Sequence, residues 1–245
     1  MSKSPLKVST SIGNFSLDRR LLGLLILSLV VLAAWTWLRA HPEHNPFAPI
    51  DLRDPPGLTT KMKLRGLASD AGACRAALER SEVPFRTLAA TGDGPCALTD
   101  RTQLTKAPVL PFDPVSTCPV AAGLEFWFDH GLQTAAKEHL GTEVVRLVHL
   151  GTNNCRRMNN SKAPTAPWSE HATGNAIDIA AFILKDGREV RVMRDWDDGP
   201  RGEFLKAARD AACQSFLTVL SPDYNAQHAD HFHLDQGTRW SSVCR

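Results

Sequence analysis

Two short stretches carry the residues whose types and spacing can do chemistry. In Ser169-Glu170-His171-Ala172-Thr173-Gly174-Asn175-Ala176-Ile177-Asp178 a histidine and an aspartate flank a glycine, and His228-Ala229-Asp230-His231-Phe232-His233-Leu234-Asp235 alternates polar with apolar positions. Together they hold four of the nine histidines in the chain. A catalytic zinc needs three ligands of this kind and an open fourth position for the water it activates. His171, Asp178 and one histidine of the His231-x-His233 pair can supply that set. Rows of His and Asp bury badly unless they are paired or metallated. His130, His139 and His149 lie outside both stretches and read as satisfied or exposed residues.

Strands are what would aim these side chains. Successive strand residues point to opposite faces, so Ile177, Ile179 and Ala181 share one face while Asp178 points away. By the same rule His231, His233 and Asp235 share a face and Phe232 and Leu234 turn into the core. Gly174 supplies a tight turn that brings His171 back over Asp178, and Ser169 reads as a turn or cap. Further elements follow from periodicity: helices at 70–80 (capped by Ser69), 116–140 and 203–216, and strands at 85–90, 143–150, 175–184, 188–193, 216–220 and 232–234. The Asp186-Gly187 turn makes 175–193 a β-hairpin. Helices segregated from hairpin-connected strands give an α+β class, an antiparallel sheet with helices packed on it. Glu125-Phe126-Trp127-Phe128 reads as helical core, and Trp168 and Trp196 as candidates to line a cleft.

These residues carry a family resemblance. SEHATGNAIDI is similar to the S-x-H-x-x-G-x-A-x-D signature of zinc D-Ala-D-Ala peptidases, and HADHFHLD to their second metal motif. With NNCRRMNN, FLTVL and the terminal CR, the stretch from Leu67 to Arg245 resembles the bacterial extensin-like C-terminal domain family, within the wider group of D-Ala-D-Ala, murein-endopeptidase and hedgehog-type metal folds. The resemblance implies Zn2+ held by His171, Asp178 and His233. It makes Asp230 or His231 the general base, with His228 also near the substrate, and puts Arg156 where the group clamps a substrate carboxylate. In that reading Asp235 orients a ligand histidine, and Asp230 remains open as either base or partner of His231.

The rest of the chain says where such a site would work. Lys+Arg 28 against Asp+Glu 26 and 43% hydrophobic content exclude a polyelectrolyte and a basic nucleic-acid wrapper. The basic excess sits at the N-terminus, in Lys3, Lys7, Arg19, Arg20 and Arg39. Residues 21–38 are uncharged and apolar, close to the ~20 that cross a bilayer. They read as an uncleaved single-pass anchor of the inner membrane, with 1–20 in the cytoplasm and the body in the periplasm; a cleavable signal peptide is the rival. Residues 39–63 are Pro-rich and read as an extended, solvated linker, and 64–245 as the domain. Six cysteines, with no C-x-x-C, read as disulfides of an exported domain, Cys74–Cys96 being the expected local staple. Two function classes follow. One is a zinc peptidase cutting peptidoglycan stem peptides or crosslinks, as a D,D-carboxypeptidase or an endopeptidase; the other is a non-catalytic, zinc-stabilised wall-binding module.

Overall fold

The computed structural model describes residues 16–158, 161–237 and 243–245. Residues 1–15, expected in the cytoplasm, lie outside the described residues, as do Asn159 and Asn160. Contacts divide the chain into a first unit ending at His41 and a second from Pro42 to Arg245. The first holds α1 (Ser16–Ala40), whose Arg19–Ala40 stretch is long and apolar enough to be a membrane span or a signal sequence.

The second unit is α+β. Its helices are α2 (Thr60–Leu67), α3 (Ala71–Arg80), α4 (Cys118–Phe126), α5 (Gln133–Leu140), α6 (Val192–Asp195) and α7 (Gly199–Ser215). Its strands are β1 (Phe85–Thr87), β2 (Thr102–Leu104), β3 (Val109–Leu110), β4 (Val115–Ser116), β5 (Val144–Gly151), β6 (Ala176–Leu184), β7 (Glu189–Arg191), β8 (Thr218–Leu220), β9 (Phe232–Asp235) and β10 (Val243–Cys244). β1, β2 and β4 form a small antiparallel sheet. The main sheet runs β10-β8-β9-β6-β5-β3 with β7 also on β6. It is antiparallel except at its two ends, where β3 on β5 and β10 on β8 are parallel.

One face of this sheet is closed by helices. Val120, Leu124 and Trp127 from the α4 side and Phe204, Leu205 and Ala208 of α7 pack on Ile177, Phe182 and Phe232. Trp127 donates its Nε1–H to the Ala208 carbonyl at 2.9 Å, which satisfies the one polar atom of its buried ring. The expected helix at 116–140 forms, but it widens into a π-helical segment, Trp127–Leu132, between α4 and α5. Gly131 lies there so close to α7 that a Cβ would stand 2.7 Å from the Ala211 methyl.

Four expectations need correction. Residues 39–63 are not a solvated linker: Ile50 and Leu52 bury in a second core with Leu64, Leu78 and Phe126. The backbone there is tied down, the Leu52 N–H to Ser81 Oγ at 2.7 Å and the Ile50 carbonyl to Arg80 at 2.8 Å. Proline removes donors and fixes φ, yet burial of Ile50 and Leu52 together with these hydrogen bonds holds the segment against its neighbours. The cap of α3 is Asp70, which accepts from the Ala73 N–H at 2.9 Å, not Ser69. The second strand of the hairpin stops at Arg191, because the Asp195 carboxylate accepts the Arg191 N–H and starts α6. The cysteines pair Cys74–Cys118, Cys96–Cys155 and Cys213–Cys244. Cys74 and Cys118 meet where α3 packs on α4, whereas Cys96 faces the chain leading to the first site stretch, so nearness in sequence misleads.

Candidate metal centre

The 3-10 turn Glu170–Thr173 presents His171. Ser169 caps it, accepting from the His171 N–H at 3.3 Å, and Gly174 ends it in the left-handed region at φ +70°, as the sequence suggests. Antiparallel pairing then does the rest. β6 and β9 align with Asp178 opposite His233, so residues far apart in sequence share one position on one face.

The three expected ligands converge. His171 Nε2 is 3.1 Å from Asp178 Oδ1 and 3.1 Å from His233 Nδ1, and His233 Nδ1 is 2.9 Å from Asp178 Oδ1. The far side of each ring decides its tautomer. His171 Nδ1 lies 3.1 Å from the Thr152 carbonyl, which can only accept, so the proton sits on Nδ1 and Nε2 carries a lone pair. His233 Nε2 lies 3.1 Å from the buried Asp235 carboxylate and donates to it, which leaves Nδ1 as the lone-pair atom. Two lone pairs and a carboxylate oxygen thus face one point. With neither a proton nor a metal ion between them they repel; a tetrahedral zinc with bonds of ~2.0–2.1 Å would set neighbouring donors about 3.3 Å apart, close to the spacing here. His171, Asp178 and His233 thus form a donor set that could hold a metal ion.

A proton is the competitor for that point. Burial disfavours charge on His233, but Asp178 and Asp235 outweigh it and push its pKa up to about 9. Burial works against the Asp178 carboxylate too, and is overcome by His171 and His233, which hold it well below the usual carboxylate range.

The open side faces a cleft of about 370 Å³. His231 lines it, its Nε2 3.6 Å from Asp178 Oδ1 and its Nδ1 2.7 Å from Asp230 Oδ1. Asp230 does not line the cleft; it is largely exposed and stands behind His231. His228 also lines it, with Nδ1 held by Asn225 Oδ1 at 2.7 Å. Burial, with the charges of His231, His233 and Arg156, drives its pKa down to about 4, so His228 is neutral at physiological pH. Arg156 reaches the same cleft, and no carboxylate pairs with it among the described residues.

The tryptophans go elsewhere. Trp196 is buried beside Phe232 in the core, and Trp168 carries the Arg157 guanidinium 4.4 Å over its ring. In their place the cleft has Tyr224 and Glu170, which the sequence motifs do not single out. Tyr224, the one tyrosine of the chain, sets its ring 5.6 Å from that of His228. Its isolation just before the Asn225 turn was the available signal. The Thr152 carbonyl has no side-chain signal at all.

Residues 72–245 match the protein family described as Extensin-like protein C-terminus. The chain belongs to this family. The searches of curated proteins and of solved structures returned no match. The matched stretch of the extensin-like domain contains the whole converging cluster and all six cysteines.

Proposed function

We propose that this extensin-like domain is a zinc-dependent peptidase acting on peptidoglycan stem peptides or crosslinks. The observation that carries the reading is the convergence of His171 Nε2, Asp178 Oδ1 and His233 Nδ1 beside an open cleft, with a histidine–aspartate pair at its edge. Zinc bound there supplies Lewis acidity, lowering the pKa of water towards neutrality and polarising a carbonyl. His231 Nε2 takes the proton from the attacking water and returns it to the leaving amine. Asp230 accepts the His231 Nδ1–H and stabilises the imidazolium that forms, so it is a positioning residue. Arg156 pairs with a substrate carboxylate, for which its planar fork is suited. His228, neutral and with its Nδ1–H held by the Asn225 Oδ1, accepts a hydrogen bond from the substrate through Nε2.

The cell envelope is the proposed setting, with α1 as a retained membrane span and the body in the periplasm. Three disulfides fit an oxidising compartment, and Arg19 and Arg20 before the apolar stretch fit a cytoplasmic N-terminus. The test is to incubate the zinc-loaded full chain, in detergent, with murein sacculi and read the products by mass spectrometry beside Asp178→Ala. Loss of a terminal D-alanine or of crosslinked dimers with wild type alone is the expected result. Unchanged sacculi that carry down stoichiometrically metallated protein would make the domain a wall-binding module.

A further inference from the structure

Around the start of the second unit the surface is apolar where solvent-facing chains are ordinarily polar. Phe47 is 92% exposed, Leu58 85% and Met62 52%. They come from neighbouring segments, because the Leu58 N–H donates to His44 Nδ1 at 3.1 Å and the Thr59 hydroxyl to the Glu43 carbonyl at 3.0 Å. α2 buries Thr60, Leu64 and Leu67 and leaves Met62 and Arg65 outward. Lys61 and Arg65, one turn apart, form no ion pair among the described residues, and they repel each other enough to contribute to a lowered Lys61 pKa behind burial. Exposed apolar side chains on adjoining segments, beside the cations Lys61 and Arg65, suit an interaction surface.

Chain connectivity names the occupant. His41 is the only residue between the end of α1 and the first residue of the second unit. His44 is four positions beyond Ala40, which caps the reach at about 14 Å, and Phe47 is seven positions beyond it, about 25 Å at full extension. Trp35, Trp37 and Arg39 close α1 with the amphipathic residues that favour a headgroup zone. Chain length alone therefore keeps this segment within about 25 Å of the end of α1.

We infer that Phe47, Leu58 and Met62 insert into the headgroup zone of the bilayer that α1 crosses, with Lys61 and Arg65 on lipid phosphates. The inference rests on α1 being a retained span, as proposed above. It holds the domain on the membrane by a second attachment rather than on a free tether.

Photo-crosslinking of the full chain in phosphatidylethanolamine–phosphatidylglycerol vesicles tests it. Phe47, Leu58, Val30 and Met193 are each replaced by p-benzoylphenylalanine, Met193 being a comparably exposed site at 74%. Several-fold more lipid adduct at 47 and 58 than at 193, with strong adduct at 30, is expected. Adduct at 30 with 47 and 58 no higher than 193 overturns the docking surface alone. No adduct at 30 overturns the span and the inference with it, and protein–protein adducts at 47 and 58 make the patch a contact between copies.

Discussion

The direction of the His233 lone pair depends on Asp235. Asp235 is fully buried; one oxygen accepts the Gly237 N–H at 2.8 Å and the other faces His233 Nε2. In Asp235→Asn the Gly237 N–H still requires an oxygen, so the amide NH2 must turn to His233. Nε2 then becomes the acceptor and the proton moves to Nδ1, where the metal would sit. Zinc affinity should fall about 10–100-fold, read by competition with a chromophoric chelator. The Asp230–His231 pair obeys the same logic one step out. His231→Ala should retain zinc and lose about 10²–10⁴-fold in kcat, and Asp230→Asn should lose less, since His231 Nε2 stays in place. A larger loss at Asp230 would reverse the two roles. Strand alternation made His233 and Asp235 legible in the sequence as a shared row. It could not separate Asp230 from His231, because both precede β9 and their directions are set by the turn through Ala226–His228.

Helix α4 shows what an element records beyond its apolar stripe. Burial, with Asp129 one turn on, pushes the Glu125 carboxyl up to about 7. The folded state therefore binds this proton more tightly than the unfolded chain, whose glutamate titrates at about 4.3. The fold has the full benefit below that pH and loses it progressively as pH rises through 7. Glu125→Gln should raise the melting temperature by a few degrees at pH 8 and leave it nearly unchanged at pH 4, read by circular dichroism; an equal gain at both would place the effect outside ionisation. The apolar spacing of 116–140 predicts the helix, but neither this carboxyl nor the π-helical segment, both of which depend on what packs against the helix. The segment before α2 shows the same limit. Its prolines signal a linker, and only the contacts of Ile50 and Leu52 with α3 and α4 reveal a folded collar.

At the scale of the molecule a metal ion held at this centre would act as a cross-link. Its donors come from the Glu170–Thr173 turn, β6 and β9, so an ion bound there ties the chain before the central hairpin to the strand near its C-terminus. The three disulfides do not duplicate this link, though Cys96–Cys155 steadies the approach to His171, whose carbonyl accepts from the Asn154 N–H at 2.9 Å. A ligand that binds only the folded state stabilises it by about 2.7 kcal/mol at a hundredfold excess over its Kd, or about 5–10 °C for a domain of this size. Chelation should lower the melting temperature by that amount, and the gap should depend on pH with a definite sign. In the stripped protein His233, raised to about 9, stabilises the fold fully below its unfolded value near 6.5, and that stabilisation is lost as pH rises through 9. In the loaded protein the ion has displaced this proton, so the loss does not occur. The difference between loaded and stripped melting temperatures should therefore widen from pH 6.5 to 9, whereas in Asp178→Ala, with a ligand gone, it should vanish at every pH. A gap that narrows over that range would mean that His233 is not the group the ion and the proton compete for.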